Sequence, residues 1–193
     1  MIEREFIVME FPTVFENITN ENDIQLLVDY LDGNKKDFGK LDPDNYWQGR
    51  TLFYSQIKDN NVKSIMLNSL KVVINKLREA TGKKIFCEHF SIARWPEGYD
   101  LQPHADAENP PDCPDHEYPW RDFGMVTFLN ENFDGGVLYY PGRNLEIKPK
   151  KGYTAVHTGG MDCLHGVTKI TKGSRYTIAA FLTYNQAKSS IDI

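Results

Sequence analysis

The chain changes character at Gly82. Beyond it, apolar residues come in short β-prone runs broken repeatedly by glycine and proline, a pattern that suits a sandwich or barrel of short strands and not a helical bundle. The runs are Lys84–Trp95, Tyr99–His104, Phe123–Leu129, Gly136–Tyr140, Leu145–Ile147, Tyr153–Val156, Cys163–Val167 and Arg175–Tyr184. Pro96-Glu97-Gly98, Asp134-Gly135-Gly136, Pro141-Gly142, Lys151-Gly152 and Lys172-Gly173 separate several of them. Before Gly82 the periodicity is helical. Val62, Ile65, Met66, Val73, Ile74 and Leu77 recur at three- and four-residue steps, as one buried helix face requires, and Gly82 suits a left-handed cap. A shorter helix is expected over Asn20–Leu31, with Asn20 as N-cap and Gly33 just past its end. Ile2–Phe11 has strand-like content. Helices first and strands after predict an α+β fold, mainly β, with the helices packed on one sheet. No repeat or linker divides the chain, so one domain is expected over residues 1–193: helical support over 1–82, a β core over 83–185 and a tail over 186–193.

Charge and cysteine usage narrow the function classes. Lys and Arg number 22 and Asp and Glu 27, a net charge of −5, which argues against a general polyanion binder and against nucleic acid as the partner. Cys87, Cys113 and Cys163 form an odd set with no CxxC spacing, read as free thiols of a reducing compartment, so the expected location is cytoplasmic. Met1–Phe11 is charged and lacks the apolar stretch of a secretory leader. No apolar run approaches the roughly 18 residues of a membrane span, and no membrane partner is expected.

His104-Ala105-Asp106 stands at the end of an expected strand, where residues two apart share a face, so an imidazole and a carboxylate can converge. His165 lies in another expected strand. Two imidazoles and one carboxylate are the set that holds non-haem Fe(II) on one face of an octahedron, leaving three positions for a chelating co-substrate and O2. Arg175 and Thr177 share a face of the last expected strand. Arginine offers a rigid donor fork that matches a carboxylate, and a neighbouring hydroxyl adds one more hydrogen bond. HxD alone recurs by chance, and its plainer reading is a surface aspartate beside a strand-end histidine. Combined with the distal histidine, the arginine and the hydroxyl, all on β-strands, it is far more specific.

Arg94-Trp95-Pro96-Glu97-Gly98 leads into His104-Ala105-Asp106, followed in order by Val126–Asn130, Phe133–Gly136, Ile147–Gly152, His165-Gly166-Val167 and Lys172–Thr177. In this order and spacing, Phe86–Tyr184 resembles the Fe(II)- and 2-oxoglutarate-dependent oxygenases of the prolyl 4-hydroxylase-like branch. The resemblance implies a double-stranded β-helix, a distorted jelly roll. It implies iron on His104, Asp106 and His165. It implies 2-oxoglutarate bound through its 1-carboxylate and keto oxygen to the metal and through its 5-carboxylate to Arg175 and Thr177, with Trp95 beside it. O2 is then the oxidant, ascorbate a candidate reductant, and succinate and CO2 the co-products of hydroxylating an unactivated C–H bond. The substrate it points to is a prolyl residue of a peptide or protein; the alternative is a free amino acid or another small molecule. A cupin-like metal-dependent isomerase or hydrolase, or a non-catalytic metal-binding barrel, would use the same ligands without needing Arg175. Two positions depart from the pattern: many members carry tyrosine where Trp95 and Phe128 stand. Phe128 cannot hydrogen-bond, and Trp95 can do so only through its indole N–H.

Other residues have two readings each. His157 either faces the metal pocket or is a structural hydrogen-bonder, and His89 reads as structural. Cys113 and His116 lack the second ligand pair that a zinc site needs. Lys35–Arg50 and Ala107–Asp122 are long irregular segments that read as lids. Tyr46, Trp47 and Arg50 in the first, and Tyr118 and Trp120 in the second, are candidates to cover a substrate. The plainer reading is that these aromatics pin their loops to the barrel. Tyr139 and Tyr140 read as packing aromatics. Lys148, Lys150 and Lys151, like the acidic Asp112, Asp115, Glu117 and Asp122, read as solvated loop residues.

Overall fold

The computed structural model describes residues 9–40, 45–191 and 193. Two helices precede the main run of strands. Helix α1 (Glu21–Gly33) begins where the Asn20 side chain accepts from the Asp23 backbone N–H at 2.9 Å. It continues through Gly33, because the backbone and side-chain N–H groups of Asn34 both reach the Tyr30 carbonyl and close the last turn instead. Helix α2 (Asn60–Thr81) starts on the Asp59 side chain and ends at Gly82, whose φ of 67° is the left-handed cap expected there.

The strands are β1 (Thr13–Phe15), β2 (Thr51–Phe53), β3 (Phe86–Pro96), β4 (Leu101–His104) and β5 (Phe123–Phe128). They continue with β6 (Leu138–Tyr140), β7 (Leu145–Ile147), β8 (Thr154–Thr158), β9 (His165–Val167) and β10 (Ser174–Thr183). One sheet runs β1-β8-β5-β10-β3-β2 and the other β4-β9-β6-β7, with every neighbouring pair antiparallel. Of the strand expected over Ile2–Phe11, residues 1–8 lie outside the described residues; Met9–Phe11 is not in a strand, and pairing with the sheet begins at Thr13. Strand β2 follows directly on the first irregular segment and has too short an apolar run to announce itself.

Side-chain alternation on the large sheet separates support from function. On β10, Tyr176, Ile178, Ala180 and Leu182 join one apolar cluster with Leu27, Leu70, Ile74 and other helix residues. The alternate residues Arg175, Thr177, Ala179 and Phe181 face a cavity. A second cluster joins Trp95 and Phe128 of the large sheet to Leu138, Tyr140 and Val167 of the small one, so the two sheets close on each other as a distorted jelly roll. The mainly-β α+β expectation and its barrel are therefore met, with the helices on the outer face. Among the described residues, no helix is long and apolar enough to cross a membrane.

Candidate active site

Cross-strand register assembles the cavity wall rung by rung. Trp95 lies opposite Arg175, and Ala93, Thr177 and Phe128 form the next row. Ser91, Ala179, Val126 and Ala155 follow, then His89, Phe181, Gly124 and His157. Ala93, Thr177, Ser91, Ala179 and Val126 of the middle rows are small, and they line a cavity of about 550 Å³. Residues on β3 would alternate strictly but for a register shift at Phe181/Leu182: Phe181 pairs with His89 and Leu182 with Cys87, so Glu88 is the extra, bulged residue. The bulge lets Glu88 and His89 both line the cavity.

His104 and His165 face each other in register on β4 and β9. Asp106 reaches the same point from the turn just after β4, not by strand alternation. One ligand atom from each of the three lies within 4.8 Å of the others. The Nδ1 atoms of His104 and His165 are each 3.0 Å from a backbone carbonyl, of Gln102 and Cys163 respectively. A carbonyl only accepts, so Nδ1 carries the proton and the Nε2 lone pair is left for a metal. These Nε2 atoms lie 3.5 Å and 4.0 Å from Asp106 Oδ1. Burial works to raise the Asp106 pKa, but hydrogen bonds from His104 and His157 outweigh it and hold the carboxyl well below the usual range. Burial, with His157 adding in the same direction, pushes His165 down to about 3, keeping that ring neutral. At His104 burial opposes protonation, yet the bonds to Asp106 and the Gln102 carbonyl prevail and raise its pKa, so a metal there displaces a proton.

At the other end of the cavity wall Arg175 is 1% exposed, and its Nε and Nη2 have no hydrogen-bond partner. Its guanidinium carbon lies 5.1 Å from the Trp95 ring centroid and 5.2 Å from that of Phe128. The two departures from the family pattern therefore surround Arg175 with apolar rings and leave its donors free. Burial pushes its pKa down to about 9, the mark of a cation kept out of water without a counter-charge. The Asn130 side chain accepts from the Tyr176 N–H at 2.8 Å and donates to the Ser174 carbonyl at 2.8 Å, clasping the strand on both sides of Arg175. Gly136 makes way for it: a Cβ there would lie 2.9 Å from Arg175 Cδ.

The family model of the 2OG-Fe(II) oxygenase superfamily matches residues 90–183, the stretch from β3 to β10 that carries the triad and Arg175. Over that stretch the barrel is similar to that superfamily. In overall fold this chain is similar to the viral collagen prolyl hydroxylase of Paramecium bursaria Chlorella virus-1, with a TM-score of 0.67 and 14% identity over 90% of this chain and 96% of that one. It is similar to a Pseudomonas putida prolyl-4-hydroxylase, with a TM-score of 0.65 and 16% identity over 89% of this chain and 91% of that one. In sequence it is 31% identical to human prolyl 3-hydroxylase 1 over 80 residues, 39% of this chain. The chain covers only 11% of the length of that curated relative.

The superfamily uses Fe(II), 2-oxoglutarate and O2, and the residues present fit these groups. Two imidazoles whose Nε2 atoms converge with a carboxylate suit Fe(II), and the orphaned donors of Arg175 suit a carboxylate in the same cavity. Thr177 and Trp95 also line that cavity.

Other expectations are corrected. Arg50 and Tyr46 do not line the cavity: the Arg50 guanidinium carbon sits 3.6 Å from the Tyr46 ring centroid and 4.2 Å from that of Tyr99, and the Tyr46 hydroxyl donates to the Asp100 carbonyl. These two pin the first loop to the barrel, while Trp47, 46% exposed, does reach the cavity mouth with Phe53. In the second loop Trp120 turns outward to Lys188, whose Nζ is 3.5 Å from its ring, and His116, Tyr118 and Arg121 line the cavity in its place. Arg121 is held by Glu88 at 3.0 Å and packs 3.8 Å from both the Tyr118 and the Phe181 rings. His89, read as structural, lines the cavity and also bonds Ser91 at 3.1 Å. Among the described residues Cys113 and His116 belong to no metal cluster. The Glu88–Arg121 pair escaped the sequence reading because a bulge cannot be seen before strands are paired. Gly124 had a signal, an isolated glycine inside a strand pattern, which marks a close approach of some other group.

Proposed function

We propose that this chain is an Fe(II)- and 2-oxoglutarate-dependent dioxygenase that hydroxylates a prolyl residue of a peptide or protein, releasing succinate and CO2. The observation that carries the reading is one cavity holding both a converged His-Asp-His set and a buried arginine with unpaired donors. When bound, iron and 2-oxoglutarate supply O2 activation and the oxidative decarboxylation that drives C–H hydroxylation. His104 and His165 would hold the metal through Nε2, and Asp106 through Oδ1. Arg175 takes the distal carboxylate of the keto acid in its fork, and the Thr177 hydroxyl adds a hydrogen bond. Trp95 and Phe128 keep water from that fork, so its charge acts in a low-dielectric setting. The prolyl reading is supported by the aromatic mouth of the cavity. Trp47, Phe53 and Tyr118 offer flat apolar faces of the kind on which proline-rich segments dock.

The test is succinate release by the iron-loaded protein over proline-rich peptides, free amino acids and other small molecules, with a mass search for products that have gained one oxygen. Stimulation by a proline-rich peptide, with the added oxygen on proline, is expected. Stimulation by a free amino acid alone would move the substrate to the small-molecule class, and no succinate from any mixture would remove the oxygenase reading.

The mouth also predicts a split between two activities. Trp47→Ala and Tyr118→Ala should each lower peptide hydroxylation about two- to tenfold, since stacking contacts of this kind contribute roughly 0.5–1.5 kcal/mol beyond the area they bury. Succinate formed without peptide should change less, because neither residue is a triad ligand or part of the Arg175 fork, although Trp47 packs on Trp95 at 5.5 Å. Trp120→Ala should affect neither, its ring being turned to Lys188. Coupled and uncoupled succinate release in the same preparations measures the split.

A further inference from the structure

His157 sits on β8 with 1% of its surface exposed, yet it is not one of the three converging ligands. Its Nε2 lies 3.1 Å from Asp106 Oδ2, and its Nδ1 lies 3.0 Å from the Tyr140 hydroxyl. These contacts set the direction of every proton. The carboxylate only accepts, so His157 Nε2 donates to Oδ2. Nδ1 then accepts from the Tyr140 hydroxyl. The other carboxylate oxygen, Oδ1, is the one turned to His104 and His165. The two oxygens of Asp106 thus face different partners, one toward the imidazole pair and one toward a buried donor.

We infer that His157, oriented by Tyr140, is a positioning residue that confines Asp106 to a single metal-ligating oxygen. This rests on the proposed metal role of the triad. A carboxylate can ligate through one oxygen or two. With two, Asp106 would occupy a position on the metal that the bidentate keto acid and O2 need. With Oδ2 engaged by His157, ligation through both oxygens requires breaking a buried hydrogen bond and leaving a donor unpaired. Gly124 makes the arrangement sterically accessible. It lies opposite His157 in register, and a Cβ on it would fall 2.4 Å from His157 Nε2 and 2.5 Å from Asp106 Oδ2. Any larger residue there would push the pair apart.

The experiment is anaerobic titration of the metal-free protein with Co(II), followed by 2-oxoglutarate at saturating Co(II), each read by visible absorption. Wild type is compared with His157→Leu, His157→Gln and Tyr140→Phe, with thermal unfolding of the metal-free forms recorded alongside. His157→Leu should lose roughly 10–100-fold in Co(II) affinity, the usual cost of losing an outer partner of a ligand. It should also bind 2-oxoglutarate more weakly, because a second carboxylate oxygen competes for the open position. His157→Gln, which keeps an N–H donor, should recover much of both affinities. Tyr140→Phe, which removes one oxygen atom, should fall between His157→Leu and wild type, and it decides the matter if His157→Leu does not fold. Folded variants that bind Co(II) and 2-oxoglutarate as wild type does, with only the unfolding temperature changed, would reduce His157 to a packing role and overturn the inference. Failure of the wild type itself to bind Co(II) would overturn the metal reading, and this inference with it.

Discussion

Asp106→Asn and Asp106→Ala should each strip the protein of metal and, with it, of all 2-oxoglutarate turnover. Asp106 is the one anionic ligand beside two imidazoles whose backbone carbonyl partners keep a proton on Nδ1, so its loss leaves an incomplete site without a negative charge. The fall in metal affinity should exceed the roughly 10–100-fold that loss of an outer partner costs. The two variants differ in stability. Alanine leaves the buried His157 Nε2–H without an acceptor, at a cost of about 1–3 kcal/mol, whereas the asparagine carbonyl can still accept it. His165→Ala should share the loss of metal. Anaerobic Fe(II) titration, with circular dichroism to establish that each variant is folded, checks the result. Wild-type metal content and turnover in both Asp106→Asn and His165→Ala would refute the triad.

Arg175→Met should have the opposite division of effects: metal retained, 2-oxoglutarate lost. Hydrogen bonds to a charged group contribute roughly 1.5–3 kcal/mol each, so replacing the fork by an apolar chain of similar reach should weaken 2-oxoglutarate binding at least tenfold and nearer a hundredfold. The same change should stabilise the ligand-free protein. Arg175 is a buried cation with unpaired Nε and Nη2 atoms against two aromatic rings, and methionine removes that desolvation cost. A lower 2-oxoglutarate affinity together with a higher unfolding temperature without ligand is the expected pair of results. An unchanged affinity for 2-oxoglutarate would take Arg175 out of the co-substrate site. A lower unfolding temperature would mean that its packing against Trp95 and Phe128 outweighs the cost of its buried charge. This trade of stability for binding is common where a site must keep a charge ready for its ligand.

Helix α2, its glycine cap and the strand series after Gly82 could be read from the chain alone, because periodicity and turn residues act over a few neighbouring positions. The ligand types were legible for the same reason: His104 and Asp106 are near neighbours, and Arg175 and Thr177 share one strand face. What joins His165 to them is the pairing of β4 with β9, which motif order implied and only the folded sheet displays. The boundaries moved where a backbone group found a competing partner, as Asn34 did at the end of α1.

Tertiary structure alone decided which side chains share the cavity. Glu88 enters it because one residue bulges on β3, a slip of register that no property of Glu88 announces. Tyr118 enters and Trp120 leaves because Arg121, anchored to Glu88, packs on Tyr118, while Trp120 stacks under Lys188. His157 meets Asp106 across the pairing of β5 with β8, where Gly124 leaves the space. The chain by itself determined the elements and the chemical groups at their ends, since those follow from local sterics and periodicity. It left open the second partner of each group, since that depends on register and loop course, which are set by residues far apart in sequence and meet only when the sheets close.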